Sequence, residues 1–309
     1  MTAPDYQTLI DAPTWAFIER TNASYPENTA TLTISEQRAI YDRMCRVFHQ
    51  GYPEGVTARD EPIAGVPCRI YPGADPPVLY LHGGGMVVGG LHSHDDVCAE
   101  IRAETGLTVV AADYRLLPEH STPAALDDTL AVARHLAKQG PILLAGDSAG
   151  GFLAASASHL LRGEAGVRIL GQVLIYPGLG GDLDSGSAME HAHAPMLSRD
   201  DVLYYQGLYR GAVAPGTVPV EPLKDNDFSG LPPTVAIGAE CDPQCDEGAR
   251  YAEVIRAAGG RAQYFLAKGL PHGYLRARRM VPRAAASFTQ ITAAIAALAR
   301  GDGPYGDAS

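Results

Sequence analysis

No apolar run in this 309-residue chain comes near the length of a membrane span. The densest stretches, 171–177 and 292–299, fall far short of the ~20 residues that cross a bilayer as a helix. Positive charge is scarce too. With 24 Lys and Arg against 35 Asp and Glu the net charge is −11, which argues against nucleic acid and anionic membrane surfaces as partners. Cysteines are few, odd in number and scattered (Cys45, Cys68, Cys98, Cys241, Cys245). That excludes a disulfide framework and leaves reduced, buried thiols as the expectation. The opening MTAPDYQTLIDAP has neither a basic stretch nor the apolar core of a signal peptide, so a soluble, cytoplasmic protein is expected. Charged residues make up 19% and hydrophobic residues 46%, which excludes a disordered chain and a coiled coil. There is no internal repeat.

What the chain does have is glycine (34) and proline (23), placed as the punctuation of many tight turns. Its length suits about two domains, or one large α/β or all-β domain, and is enough to bury roughly three quarters of the unfolded surface. Residues before Thr33 show no clear period. Thr33-x-x-Glu36 then reads as a capping box, ahead of Ile40, Met44, Val47 and Phe48 at helical spacing. From residue 66 the texture changes. Short apolar runs at 66–70, 78–81, 107–112, 142–145, 172–176, 234–237 and 263–266 alternate with helical stretches at 94–104, 123–138, 149–162, 243–258 and 284–300. The last of these carries Phe288, Ile291, Ile295 and Leu298 on one face. Strands without alternation, separated by helices, predict an α/β fold with a mostly parallel central sheet covered on both faces. Residues 179–229 break the rhythm, running from GLGGDLDSGS through a helix at 199–209 to a Pro-rich tail. The expected organisation is a helical cap from 1–50 and 179–229 over a core of 51–178 and 230–309.

The chemistry concentrates in two glycine loops. PILLAGDSAGG (141–151) holds a G-x-S-x-G match, Gly146 to Gly150, between an apolar strand and a helix. A chain turning that sharply strains Ser148 and exposes its hydroxyl, while small residues two before and two after avoid a clash across the turn. The helix that follows aims its N-terminal N–H groups at developing negative charge. The second loop is His82-Gly83-Gly84-Gly85, directly after the run PVLYL. Consecutive glycines let backbone N–H groups approach a tetrahedral oxyanion, with the N–H of the residue after the serine, Ala149, as the complementary donor. Which two of Gly83, Gly84 and Gly85 donate is left open by the sequence.

A serine hydroxyl needs a base, and the base needs an orienting carboxylate. With a nucleophile on such a turn the chain order is serine, acid, histidine. Asp242 follows the run TVAIGAE, and His272 sits in GLPHGY after QYFLAKG. Competing residues are worse placed. His159 falls within the helix after Ser148, His191 and His193 within the insertion, Asp246 and Glu247 within the next helix, and Glu240 at a strand end.

Together these motifs resemble the hormone-sensitive-lipase-like (bacterial family IV) carboxylesterases of the α/β-hydrolase superfamily. HGGG (82–85), DYRLLPEH (113–120), PAALDD (123–128), GDSAGG (146–151), DPQCDEG (242–248) and HGY (272–274) appear in that family's order across roughly residues 60–300. The resemblance implies a triad of Ser148, Asp242 and His272, and an oxyanion hole from the glycines after His82 plus Ala149. It implies no cofactor or metal, small-molecule esters of short to medium acyl chains, and homodimers as a common state. An amidase such as an arylformamidase would use the same apparatus; a ligand-binding receptor of this fold would typically lack the histidine. Departures from the pattern are Met86 and Val87 after HGGG, where the family often has an aromatic, and Gln244 where it has leucine. Two metal readings are weaker. His92-Ser93-His94-Asp95-Asp96 continues with Val97 where an HxHxDH motif needs histidine, and fits a helix start better. Cys241-x3-Cys245 with His272 lacks a second cysteine pair.

Overall fold

The computed structural model describes residues 4–26, 32–216 and 220–303. Its first elements are the helices α1 (Tyr6–Leu9), α2 (Ala12–Asn22) and α3 (Ile34–Phe48). Start signals for α2 stand in the sequence after all. Asp11 caps the Thr14 N–H and Pro13 occupies the first turn, but the apolar residues behind them lack a regular period. The capping box of α3 forms as expected, Thr33 and Glu36 bonding each other's backbone N–H. Its buried face is Ile40, Met44, Cys45 and Phe48, whereas Val47 is 38% exposed and faces away from that stripe.

Three strands follow, β1 (Arg59–Ile63), β2 (Val66–Tyr71) and β3 (Ala74–Leu81). Then come α4 (Asp95–Thr105), β4 (Leu107–Ala112), α5 (Pro123–Ala137), β5 (Ile142–Asp147), α6 (Ala149–Leu161) and β6 (Ile169–Ile175). Two helices, α7 (Gly186–Glu190) and α8 (Arg199–Gly211), lie in the irregular stretch before β7 (Thr234–Cys241). The chain closes with α9 (Glu247–Ala257), β8 (Ala262–Pro271) and α10 (Pro282–Ala299). No helix among the described residues is long and apolar enough to cross a membrane.

One eight-stranded sheet results, in the order β1-β2-β4-β3-β5-β6-β7-β8. It is parallel from β4 to β8, with β2 antiparallel to both neighbours. Strand β1 has no apolar signature: its sequence is RDEPI and four of its five residues are exposed, because it hangs on the sheet edge. Helices α4 and α10 cover one face together with α2 and α3; α5, α6 and α9 cover the other. Of greatest consequence is where the order reverses. The chain goes outward from β3 to β4, then returns across to β5, so β3 and β5 are parallel neighbours with Leu81 opposite Gly146. At such a switch point the two loops leaving the strands open a crevice between them. Here those loops are the HGGG and GDSAG segments. Strands β7 and β8 run further than their apolar cores suggested, to Cys241 and Pro271, and so deliver Asp242 and His272 to the same edge. Helix α9 begins at Glu247, not 243; residues 242–246 form a turn and Asp246 is its N-cap rather than part of it.

Candidate active site

Ser148 sits alone between β5 and α6 with φ +53° and ψ −119°, a conformation that costs free energy for a residue with a Cβ. The surroundings enforce it. A Cβ on Gly150 would lie 1.9 Å from the Leu81 carbonyl oxygen, and one on Gly146 would lie 2.5 Å from the Gly150 backbone. The turn therefore exists only because both positions are bare. The Ser148 N–H donates to the Ile175 carbonyl at 2.9 Å, leaving its hydroxyl toward the crevice.

His272, 124 residues later, brings Nε2 to 2.8 Å from Ser148 Oγ. Its Nδ1 lies 2.6 Å from Asp242 Oδ2. Asp242 is wholly buried and its other oxygen accepts the Gln244 N–H at 2.9 Å, which fixes the carboxylate plane. The Tyr176 ring leans on the imidazole at 4.8 Å between centroids. Serine, imidazole and carboxylate thus form one hydrogen-bonded row. Such a row can move a proton from the hydroxyl to Nε2 while the carboxylate faces the cation that forms.

The three glycines of the loop differ in conformation and in the use of their N–H groups. Gly84 has φ +126° and Gly85 φ +62°, while Gly83 has its N–H committed, donating to Asp147 Oδ1 at 3.0 Å. Of the three glycines expected as oxyanion donors, Gly83 thus has its N–H engaged by another acceptor. Among the described residues no acceptor engages the N–H groups of Gly84, Gly85 or Ala149. Gly83 is bare for a different reason: a Cβ there would meet the Asp147 carboxylate at 2.4 Å.

Asp147, the variable residue of the G-x-S-x-G match, is thus a structural centre that motif reading passed over. Besides Gly83 it accepts from Tyr80 Oη at 2.8 Å, and its second oxygen faces His94 Nε2 at 3.2 Å and Tyr176 Oη at 3.4 Å. Burial pushes this carboxyl up, but His94, Arg276 and the Tyr80 bond outweigh that and hold it well below the usual carboxylate range. His82 is its counterpart across the loop. Burial and the nearby His94 push it down to about 3, so it is neutral. Its Nδ1 bonds the Gly83 carbonyl at 2.9 Å and Nε2 has no partner, which assigns the proton to Nδ1. Tyr114, from the DYR segment, stacks on His82 at 4.3 Å and donates to its carbonyl at 2.6 Å. An acid next to the serine and a tyrosine after β4 were visible in the sequence; that both bind the glycine loop was not.

The other candidates go elsewhere. His159 bonds Asp225 Oδ2 at 2.5 Å and Tyr251 Oη at 2.9 Å. His191 takes Tyr6 Oη at 3.0 Å, and His193 is exposed. Glu240 accepts the Gly269 N–H at 2.6 Å. His92 and His94 diverge, His92 pairing with Asp42 at 2.7 Å and His94 lying buried beneath Asp147. Burial pushes the Cys241 and Cys245 thiols up to about 12, away from the thiolate form a metal would bind.

Above the row opens a cavity of about 710 Å³. Ser148, His272 and the glycine loop form its floor, and residues of α2, α3 and α8 wall it, Tyr41 and Tyr205 among them, with Tyr25 just beyond α2. Met86 and Gln244, the two departures noted in the sequence, both line it.

A family model described as the alpha/beta hydrolase fold matches residues 78–276. Carboxylesterase NlhH of Mycobacterium tuberculosis is 37% identical over 290 aligned residues, 87% of this chain and 84% of that protein. Esterase LipI of the same organism is 36% identical over 244, covering 74% and 76%. Among solved structures, an esterase from Pyrobaculum calidifontis superposes with a TM-score of 0.77 at 32% identity, over 87% of this chain and 94% of its own. An esterase of the bacterial hormone-sensitive lipase family superposes at 0.81 and 25% identity, over 95% and 99%. Fold, strand order and these likenesses agree: the chain belongs to the alpha/beta hydrolase fold family and, within it, to the hormone-sensitive-lipase-like esterases.

Proposed function

We propose that the chain is a serine carboxylesterase in which Ser148 is the nucleophile, His272 the general acid and base, and Asp242 its orienting partner. One observation carries the assignment: the unbroken row Ser148–His272–Asp242, at 2.8 and 2.6 Å, opens onto a cavity beside three unclaimed backbone N–H groups. Ser148 Oγ attacks the ester carbonyl as its proton passes to His272 Nε2. Asp242 keeps Nδ1–H pointing at itself and stabilises the imidazolium. The oxyanion is received by the N–H groups of Gly84, Gly85 and Ala149, each donor of this kind contributing about 10²–10³ in rate. His272 then protonates the leaving alcohol, and water enters by the reverse route to free the acid. No step asks for a cofactor or metal.

The cavity volume suits small esters of short to medium acyl chains, and a 31% identical relative, covering 74% of this chain, is an ethyl acetate hydrolase from Pseudomonas putida. Residues 1–50 and 179–229 serve as a cap over the site, supported by the α2, α3 and α8 residues in the cavity wall. A homodimer in the cytoplasm is the expected working state; five free thiols suit a reducing compartment, and light scattering after size exclusion tests the dimer.

The decisive experiment pairs a fluorophosphonate probe with p-nitrophenyl butyrate. Wild type should label and turn over, and Ser148→Ala should lose about 10⁴-fold or more of kcat with an unchanged circular dichroism spectrum. Wild type that neither labels nor hydrolyses would remove the assignment.

A further inference from the structure

The ester-cleaving row leaves one partly buried charge unused. Arg276 lies in the short turn four residues after His272 and lines the cavity. Its Nη2 donates to Tyr41 Oη at 2.6 Å and to Cys45 Sγ at 3.2 Å, both on α3, and its guanidinium lies over the Tyr41 ring at 5.1 Å. Nη1 faces His94 Nε2 at 3.4 Å, but that nitrogen's proton serves Asp147, so it accepts nothing. Nε has no partner at all. Among the described residues no carboxylate stands within ion-pair distance of Arg276; the negative group it feels is Asp147, already held by four other donors.

Arg278, two residues further on, shows what a structural arginine looks like in this protein. It pairs with Asp96 at 2.7 Å and Glu100 at 2.6 Å and also donates to the Leu275 carbonyl. Arg276 is only partly buried, and a cation without such a partner is left to water or to an anion brought in from outside. Phenol, thiol and neutral imidazole are no such partner, and the remaining side is the cavity.

We propose that Arg276 is an anion subsite of the substrate cavity, and that the preferred esters carry a carboxylate on the half that lies under α3. This rests on the esterase assignment above and narrows its substrate class to monoesters of dicarboxylic acids or esters of hydroxy acids. A singly charged carboxylate fits better than a phosphate dianion, because Asp147 stands on the same side and Asp200 and Asp201 line the cavity at α8. With Nη2 held by Tyr41 and Cys45, Nη1 is the charged donor left for a carboxylate oxygen.

Two substrate pairs test it by pH-stat. Ethyl valerate and monoethyl glutarate differ by methyl against carboxylate on the acyl half; propyl butyrate and the butyrate ester of 3-hydroxypropanoate differ likewise on the alcohol half. Wild type should use the charged member of at least one pair as well as the neutral one. Arg276→Met should lower that charged-to-neutral ratio of kcat/KM about 10- to 100-fold, the usual worth of a lost charge-assisted pair, and Arg276→Lys should recover part of it. An unmoved ratio in the methionine variant, or wild type disfavouring both charged esters more than tenfold, overturns the proposal. If Arg276→Met does not fold, product inhibition of wild type decides: glutarate must inhibit neutral-ester hydrolysis more strongly than valerate, and equal or weaker inhibition overturns it. Neutral-ester turnover, and its loss in Ser148→Ala, reports separately on the esterase assignment.

Discussion

On one side of the cavity stand the ends of β3, β5, β7 and β8; on the other, α2, α3 and α8. The strand side is fixed by backbone against backbone. Gly150 and Gly146 meet main-chain atoms where a Cβ would sit, the Ser148 N–H is tied to β6, and one carboxylate, Asp147, binds the glycine loop to the serine turn. The helical side is made of long side chains, Tyr25, Tyr41, Met44 and Tyr205 among them, while Leu203 and Tyr204 on α8 are 40% and 44% exposed. Chemistry is placed where backbone packs on backbone, and shape where side chains can be exchanged. That difference predicts unequal responses to mutation.

The sharpest break should come at Gly150. With the Leu81 carbonyl 1.9 Å from the added methyl, Gly150→Ala must push β3 from β5. It should cost about 3 kcal/mol or more, seen as a Tm drop of roughly 5 °C or more with activity lost in parallel. A Tm within two or three degrees of wild type would show the strand side to be as pliable as the wall.

Next is Asp147→Asn, nearly isosteric but uncharged. Gly83 keeps an acceptor, yet the charge facing His94 is gone, so kcat on p-nitrophenyl butyrate should fall about 10- to 100-fold with KM little changed. The sign of its stability effect follows from the depressed carboxyl. The contribution of Asp147 is present above the ordinary carboxylate range and is lost as pH falls through the lower folded value. The penalty of the variant should therefore be full at pH 7 and shrink in acid, as urea melts across pH will register.

The wall should respond in preference rather than in rate. The Tyr205 ring reaches to 2.3 Å of where a Gly85 Cβ would be, covering the glycine loop from α8. Tyr205→Ala should shift the best acyl length toward longer chains, by less than about tenfold in any kcat/KM ratio, in a p-nitrophenyl ester series. An unchanged profile would mean that α8 does not shape the acyl pocket.

The smallest effect belongs to the seam between the two sides. Glu247, at the start of α9, accepts the Leu179 and Gly181 N–H groups, and burial pushes it up to about 7. Unfolded chain releases this proton near the ordinary glutamate value while folded chain holds it, so stability from this group falls as pH rises through that interval to about 7. Glu247→Gln has no such dependence. Relative to wild type it should gain a few degrees of Tm between pH 5 and pH 8, and a constant gap would remove the effect.

The same contrast explains what the sequence disclosed. Ser148, Asp242 and His272 stand after strands whose apolar cores are evident, in the order the elbow demands, so their spacing could be read directly. The chain also announced α3, through its capping box, and α10, through its apolar face. It hid β1, whose RDEPI sequence has no inward face to pattern. It hid α2 as well, where cap signals exist without periodicity. Asp147 and Gly83 are 64 residues apart, and Arg276 meets α3 across more than 230. No local pattern encodes such contacts, because they are properties of the assembled sheet.

The last of those contacts has a consequence for the ribosome. Tyr41 and Cys45 are made early, and the arginine they rest on is 235 and 231 residues downstream. At the usual ~5–20 residues per second that is a delay of about 10–45 s. Through that interval Phe17, Met44 and Phe48, all buried in the finished fold, lack the C-terminal half of their seat. A nascent chain of this protein thus emerges with the apolar face of α3 early and its anchor late, and chaperone dependence during synthesis should track residues 34–48 rather than the glycine loops.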